Sequence, residues 1–221
     1  MSLNEQTLSA LVAVAIFLVI GFPVHECAHA LTAYRLGDGT AKLFGRLTLN
    51  PLVHLDPLGS TVLVLSALVG GAGFFIGWAK PTPVNPSMLR YGHRGEALVA
   101  AAGPLSNLVL AILAAIVFRA FVALDLAPSA GLQFFSLVIE WFLIINVSLF
   151  IFNLLPLPPL DGSKVLFAFL PARTVWQVRP VLEQWGFVIL LAIMFLPPGN
   201  SIGARILGPV FNAILDLLVG A

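Results

Sequence analysis

Apolar residues gather into six runs along the chain, at 8–22, 58–79, 97–124, 132–155, 185–196 and 206–219. A run of about 20 apolar residues is long enough to cross the hydrocarbon core of a bilayer as a helix. The run at 132–155 is the clearest, interrupted only by polar residues such as Glu140 and Asn146. The first run reaches that length only if its helix continues past Pro23 and through His25 to Arg35. A proline there is expected to kink the helix and free a carbonyl, which membranes tolerate where protein or water covers it. The last two runs are shorter and meet at Pro197-Pro198-Gly199, which reads as a turn. A different periodicity holds at 42–49, where Leu43, Leu47 and Leu49 alternate with Lys42, Phe44, Arg46 and Thr48. That alternation predicts a short strand with one half-polar face. Prolines punctuate 80–86 and 153–162, so neither segment is expected to be continuous helix. The pattern as a whole predicts an α-helical polytopic membrane protein with about five to six membrane segments. A small re-entrant or membrane-associated β element is expected near residues 40–50, and the chain reads as one domain over 1–221.

Composition strengthens the membrane reading. The 221 residues are 59% hydrophobic and 10% charged, where soluble domains carry roughly a quarter charged residues. A net charge of +1 gives no reason to expect a nucleic-acid partner. The single Cys27 excludes an internal disulfide. The first apolar run has neither a basic leading segment nor a small-x-small cleavage site, so it reads as a retained helix.

The sharpest chemical signal is His25-Glu26-Cys27-Ala28-His29. On a helix, positions i and i+4 share a face, so both imidazoles can reach one ion. Glu26 projects elsewhere and is placed to take a proton from a metal-bound water. Zinc suits such a pair, because imidazole nitrogen is a good ligand and an open position brings bound water to a pKa near 7. Ionisable residues at membrane depth cost about 2.5–3.5 kcal/mol each, so a cluster there points to function. A third protein ligand is required, and Asp161, Glu140, Asp56, His54 and His93 all qualify by residue type. Asp161 stands in the proline-stiffened segment after the strongest span, although an Asp before Gly162 also fits an ordinary turn. Cys27 reads as a packing residue, since a fourth protein ligand would take the place of water.

Three motifs together resemble the site-2 protease family of intramembrane zinc proteases. They are His25-Glu26-Cys27-Ala28-His29, Gly103-Pro104-Leu105-Ser106-Asn107, and the segment 153–162. In the last, Asn153, Pro156, Pro158 and Leu160-Asp161-Gly162 match the family's N-x-x-P-x-P-x-L-D-G signature. The resemblance implies one zinc ion per chain held by His25, His29 and Asp161, with Glu26 as general base. It implies that Asn153 lies at the active site and helps hold the substrate or the oxyanion. Apart from the resemblance, His54 and Asn107 are candidates for contacts there, although His54 also fits a turn at the membrane surface. It implies a transmembrane protein substrate, such as a membrane-tethered anti-sigma factor, cut in regulated intramembrane proteolysis. Many relatives carry a PDZ or CBS domain, so this chain is expected to be a minimal form. A strand edge at 42–49 would offer the unwound substrate a partner.

Topology follows from counting. His25 and His29 precede the far end of the first helix, and Asp161 follows the far end of 132–155. They can meet only if one intervening run fails to cross. The run 58–79 is the best candidate, because Gly70-Gly71, Gly73 and Gly77 would permit a re-entrant turn. Arg35, Lys42, Arg46, Lys80, Arg90, Arg94, Lys164, Arg173 and Arg179 then share one side, opposite Arg119 and Arg205. The positive-inside rule makes that side cytoplasmic, in a bacterial or archaeal cell membrane with lipid as the surrounding partner. A metal transporter would need repeated halves with paired broken helices, and the sequence shows none. An inactive relative would lack Glu26.

Overall fold

The computed structural model describes residues 5–69, 77–125, 129–197 and 201–220. The chain starts as one long helical rod made of α1 (Glu5–Ile16), a π-helical turn (Phe17–Gly21) and α2 (Phe22–Arg35). Pro23 has no N–H to give, and its ring crowds the carbonyl four residues back. The wider turn just before it, closed by Phe22 N–H on the Phe17 carbonyl, absorbs that misfit. The rod therefore carries His25 and His29 onward as expected, and the disturbance at Pro23 takes the form of a π turn.

Beyond Arg35 the chain turns off α2 at Gly37, whose φ is 107°; its N–H reaches the Tyr34 carbonyl while Asp38 N–H reaches that of Ala33. The expected strand at 42–49 does not form. Asp38 Oδ1 accepts from both the N–H (2.9 Å) and the hydroxyl (2.5 Å) of Thr40, which starts the short helix α3 (Thr40–Leu43). Gly45, at φ 68°, closes α3 with its own N–H on Lys42 and Arg46 N–H on Ala41. Local capping at both ends thus overrides the period-two alternation. Among the described residues the β structure is an isolated antiparallel bridge, Leu55 to Ala79.

That bridge matters for topology. It follows α4 (Pro51–His54) and flanks α5 (Pro57–Val69), and beside it Lys80 N–H donates to the His54 carbonyl at 2.8 Å. The run 58–79 therefore returns to the level it left. Of the glycines expected to turn it, Gly70, Gly71 and Gly73 lie outside the described residues, and Gly77 packs against Leu63 and the Gly59 carbonyl of α5.

The remaining helices are α6 (His93–Ala123), α7 (Ala130–Asn153), α8 (Asp161–Phe169), α9 (Ala172–Phe195) and α10 (Ile202–Val219). Among the described residues, five helices are long and apolar enough to cross a membrane: Glu5–Arg35, α6, α7, α9 and α10. α9 exceeds the apolar run at 185–196 because its first turns carry Arg173, Gln177, Arg179 and Glu183. α6 is the hub, packing on α7, α2 and α8. Its buried face is made of small residues, among them Ala100, Gly103, Ala111, Ala114 and Ala115, as expected where helices approach closely in lipid. One apolar core joins Ala13, Val14 and Phe17 to Leu63, Val138 and Ile145; another joins Ala111 and Ala115 to Leu143 and Val147. At the far end of α6, Gly220 lies against the Arg119 guanidinium. α10 therefore runs in the same sense as α6. Arg205, which the sequence count sets beside Arg119, stands 15 residues earlier, about 22 Å back along α10.

Candidate metal centre

His25 and His29 sit one turn apart on α2 with ring centroids separated by 4.7 Å and Nε2 atoms by 3.1 Å. Asp161 is the first residue of α8, where Leu160 is extended and the prolines before it keep the segment from being helical. Its Oδ2 lies 3.2 Å from His29 Nε2 and 3.5 Å from His25 Nε2. Three donor atoms thus form a small triangle. Tetrahedral zinc with bonds of roughly 2.0–2.1 Å would need ligand–ligand edges of about 3.3 Å, which the measured separations bracket.

The hydrogen bonds behind the imidazoles favour the same use. Asn107 Nδ2 donates to Asn146 Oδ1 at 3.1 Å, and Asn146 Nδ2 donates to the Phe142 carbonyl at 2.8 Å. Asn107 therefore presents Oδ1 to His25, and His25 Nδ1–H donates to it at 2.5 Å. His29 Nδ1–H donates to the Val99 carbonyl at 2.7 Å. With each Nδ1 protonated, both Nε2 lone pairs face the triangle, the arrangement that metal-binding histidines commonly have. The two rings rest on Gly103 of α6. A methyl group there would stand 2.7 Å from His25 Cε1 and overlap the His29 ring outright.

Glu26 is buried on α2. Its Oε2 accepts from Thr82 N–H at 2.9 Å and Thr82 Oγ1–H at 2.7 Å. Of the five residues that qualify as third ligand by type, Asp161 alone joins the two histidines among the described residues. His54 is fully buried, but its Nε2 is bonded to the Thr48 carbonyl at 2.8 Å and it anchors the Leu55–Ala79 bridge. His93 pairs with Glu96 at 3.7 Å. Asn107 backs His25, and Asn153 at the end of α7 donates to the Leu149 carbonyl at 3.0 Å. Sequence reasoning passed over Asn146, Asp38 and Thr82. An Asn inside an apolar run was the available signal for the first.

Residues 120–197 match Peptidase family M50. The "Putative zinc metalloprotease YwhC" of Bacillus subtilis (strain 168) is 42% identical over 217 residues, covering 96% of this chain and 91% of that protein. The chain belongs to peptidase family M50. The site-2 protease resemblance carried by the His25–His29 and Asn153–Gly162 motifs is borne out at the level of the family. This M50 peptidase is also similar to the "Putative zinc metalloprotease Rip2" of Mycolicibacterium smegmatis, at 35% identity over 80% of the chain and 64% of that protein. Rip2 of Mycobacterium tuberculosis (strain H37Rv) is 31% identical over 83% of the chain and 66% of that protein. No solved structure matches the chain.

Proposed function

We propose that this M50 peptidase is an intramembrane zinc metalloprotease that hydrolyses peptide bonds within or beside the transmembrane helices of its substrates. The observation that carries the reading is the convergence of His25, His29 and Asp161 inside a bundle of apolar helices. His29 and His25 lie six and ten residues before Arg35, roughly 9–15 Å in from the end of α2. The donors are thus set below the end of the bundle.

In this reading His25, His29 and Asp161 hold one zinc ion. When bound, zinc supplies Lewis acidity towards a carbonyl and acidifies a coordinated water. Glu26 removes the proton from the attacking water and returns it to the leaving amine. Asn107 keeps His25 in the tautomer with Nε2 free. Asn153 offers an amide to the substrate or the oxyanion once its bond to Leu149 is exchanged. The substrate is a membrane-tethered protein, for example of the anti-sigma kind, whose scissile helix must unwind locally. Residues 42–49 do not supply a strand edge for it. Between Arg35 and Arg179 every basic residue except Arg119 is assigned to the metal-centre end, nine in all, and this bias supports a cytoplasmic location for that end.

The test uses purified protein, a panel of single-span substrates and a chelator. Glu26→Gln should keep one zinc per chain while cleavage falls by at least about 10²-fold. Asp161→Ala should lose both zinc and activity. Stoichiometric zinc with normal turnover in Asp161→Ala would remove the ligand assignment.

A further inference from the structure

Segment 80–86 passes Glu26 as a proline-rich strap. Prolines at 81, 83 and 86 stiffen its backbone and leave N–H donors only at Lys80, Thr82, Val84 and Asn85. Three of those donors are bonded to the surrounding fold. Lys80 N–H reaches the His54 carbonyl at 2.8 Å, Thr82 N–H reaches Glu26 Oε2 at 2.9 Å, and Asn85 N–H reaches Asp38 Oδ2 at 2.7 Å. The middle attachment is doubled, because the Thr82 hydroxyl also lies 2.7 Å from the same Oε2. It stands 3.2 Å from the Glu26 backbone carbonyl as well.

A buried carboxylate needs donors, and two donors on one oxygen restrict its rotation more than one does. The strap is already tied to His54 on one side and to Asp38 on the other, so it does not need Glu26 to stay in place. We propose that Thr82 is a positioning residue for the general base. Its N–H and hydroxyl clamp Oε2 and leave Oε1 as the oxygen that exchanges the proton. The inference rests on the role assigned above to Glu26. A misplaced base costs rate without costing substrate affinity, which separates positioning from binding.

Thr82→Val keeps the size and the backbone N–H but removes the hydroxyl, and Thr82→Ser restores it. Thr82→Val should lower kcat about tenfold, with KM, zinc content and thermal midpoint unchanged, and Thr82→Ser should return kcat to within about twofold of wild type. A second readout needs no turnover. The infrared carboxylate band that Glu26→Gln removes should shift in metal-free Thr82→Val and stay in place in Thr82→Ser. A wild-type kcat or an unshifted band in Thr82→Val overturns the proposal. Equal losses in both variants with a lowered midpoint overturn it too, by showing a merely structural role. Turnover surviving in Glu26→Gln would instead sink the base assignment itself, so the two failures are distinguishable.

Discussion

Gly103 decides how closely α6 can approach the two imidazoles of α2. Because both rings lie on its bare Cα, any side chain there must move them, and with them the Nε2 atoms 3.1 Å apart. Gly103→Ala should therefore weaken zinc binding by about 10–100-fold, the range typical of disturbed support around a metal ligand. Competition against a chromophoric chelator measures this, and wild-type affinity would show that the imidazoles are positioned by something else. The pair His25 and His29 was legible in the sequence because a helix fixes the relation of i to i+4. Asp161 was legible through its proline-rich surroundings and its motif. Of their supports, Asn107 was marked only as a candidate contact at the site, and its bond to His25 spans 82 residues; Thr82, which meets Glu26 across 56, was not marked at all. Nothing local announces such partners. Gly103 was visible as the first residue of a motif, but its contact with the histidines needed three dimensions.

Secondary structure between α2 and α4 is governed by caps, and this is where the sequence reading went astray. Eight alternating residues at 42–49 outweighed two signals that prevail in the fold, Asp38 two residues before Thr40 and the left-handed Gly45. Asp38 also receives Asn85 N–H, so one carboxylate starts α3 and ties down the strap. Burial alone would raise the Asp38 carboxyl; the hydrogen bonds from the Thr40 hydroxyl, Thr40 N–H and Asn85 N–H outweigh it and hold the group below its ordinary range. A depressed folded value means that its stabilisation is full above the unfolded value of about 3.9 and disappears as pH falls through the folded one. Asp38→Asn should thus lower the thermal midpoint near neutral pH by about 2–4 °C. The gap to wild type should narrow below pH 4. A constant gap across that range would show that the carboxylate charge is not what stabilises the turn.

At the scale of the molecule, the Leu55–Ala79 bridge returns the chain to the end where α2 finished, so α6 can begin there and α7 can end there. That is how residues from α2 and α8 come within hydrogen-bonding distance. The need for one returning run was legible by counting; the bridge that accomplishes it was not, since it joins residues 24 apart across the run itself. Single cysteines replacing Lys42 and Arg90, in a Cys27→Ser background, should both resist an impermeant thiol reagent in intact cells. A cysteine replacing Arg119 should react. Labelling at only one of the first two would mean that 58–79 crosses. The span between ligands also sets an order of events. His25 and His29 are made early, but Asp161 follows 132 residues after His29, so a growing chain carries no complete centre until α8 has left the ribosome. Chains stalled before residue 161 should neither retain zinc nor cut a neighbour, which delays proteolytic activity until most of the bundle that must contain it has been synthesised.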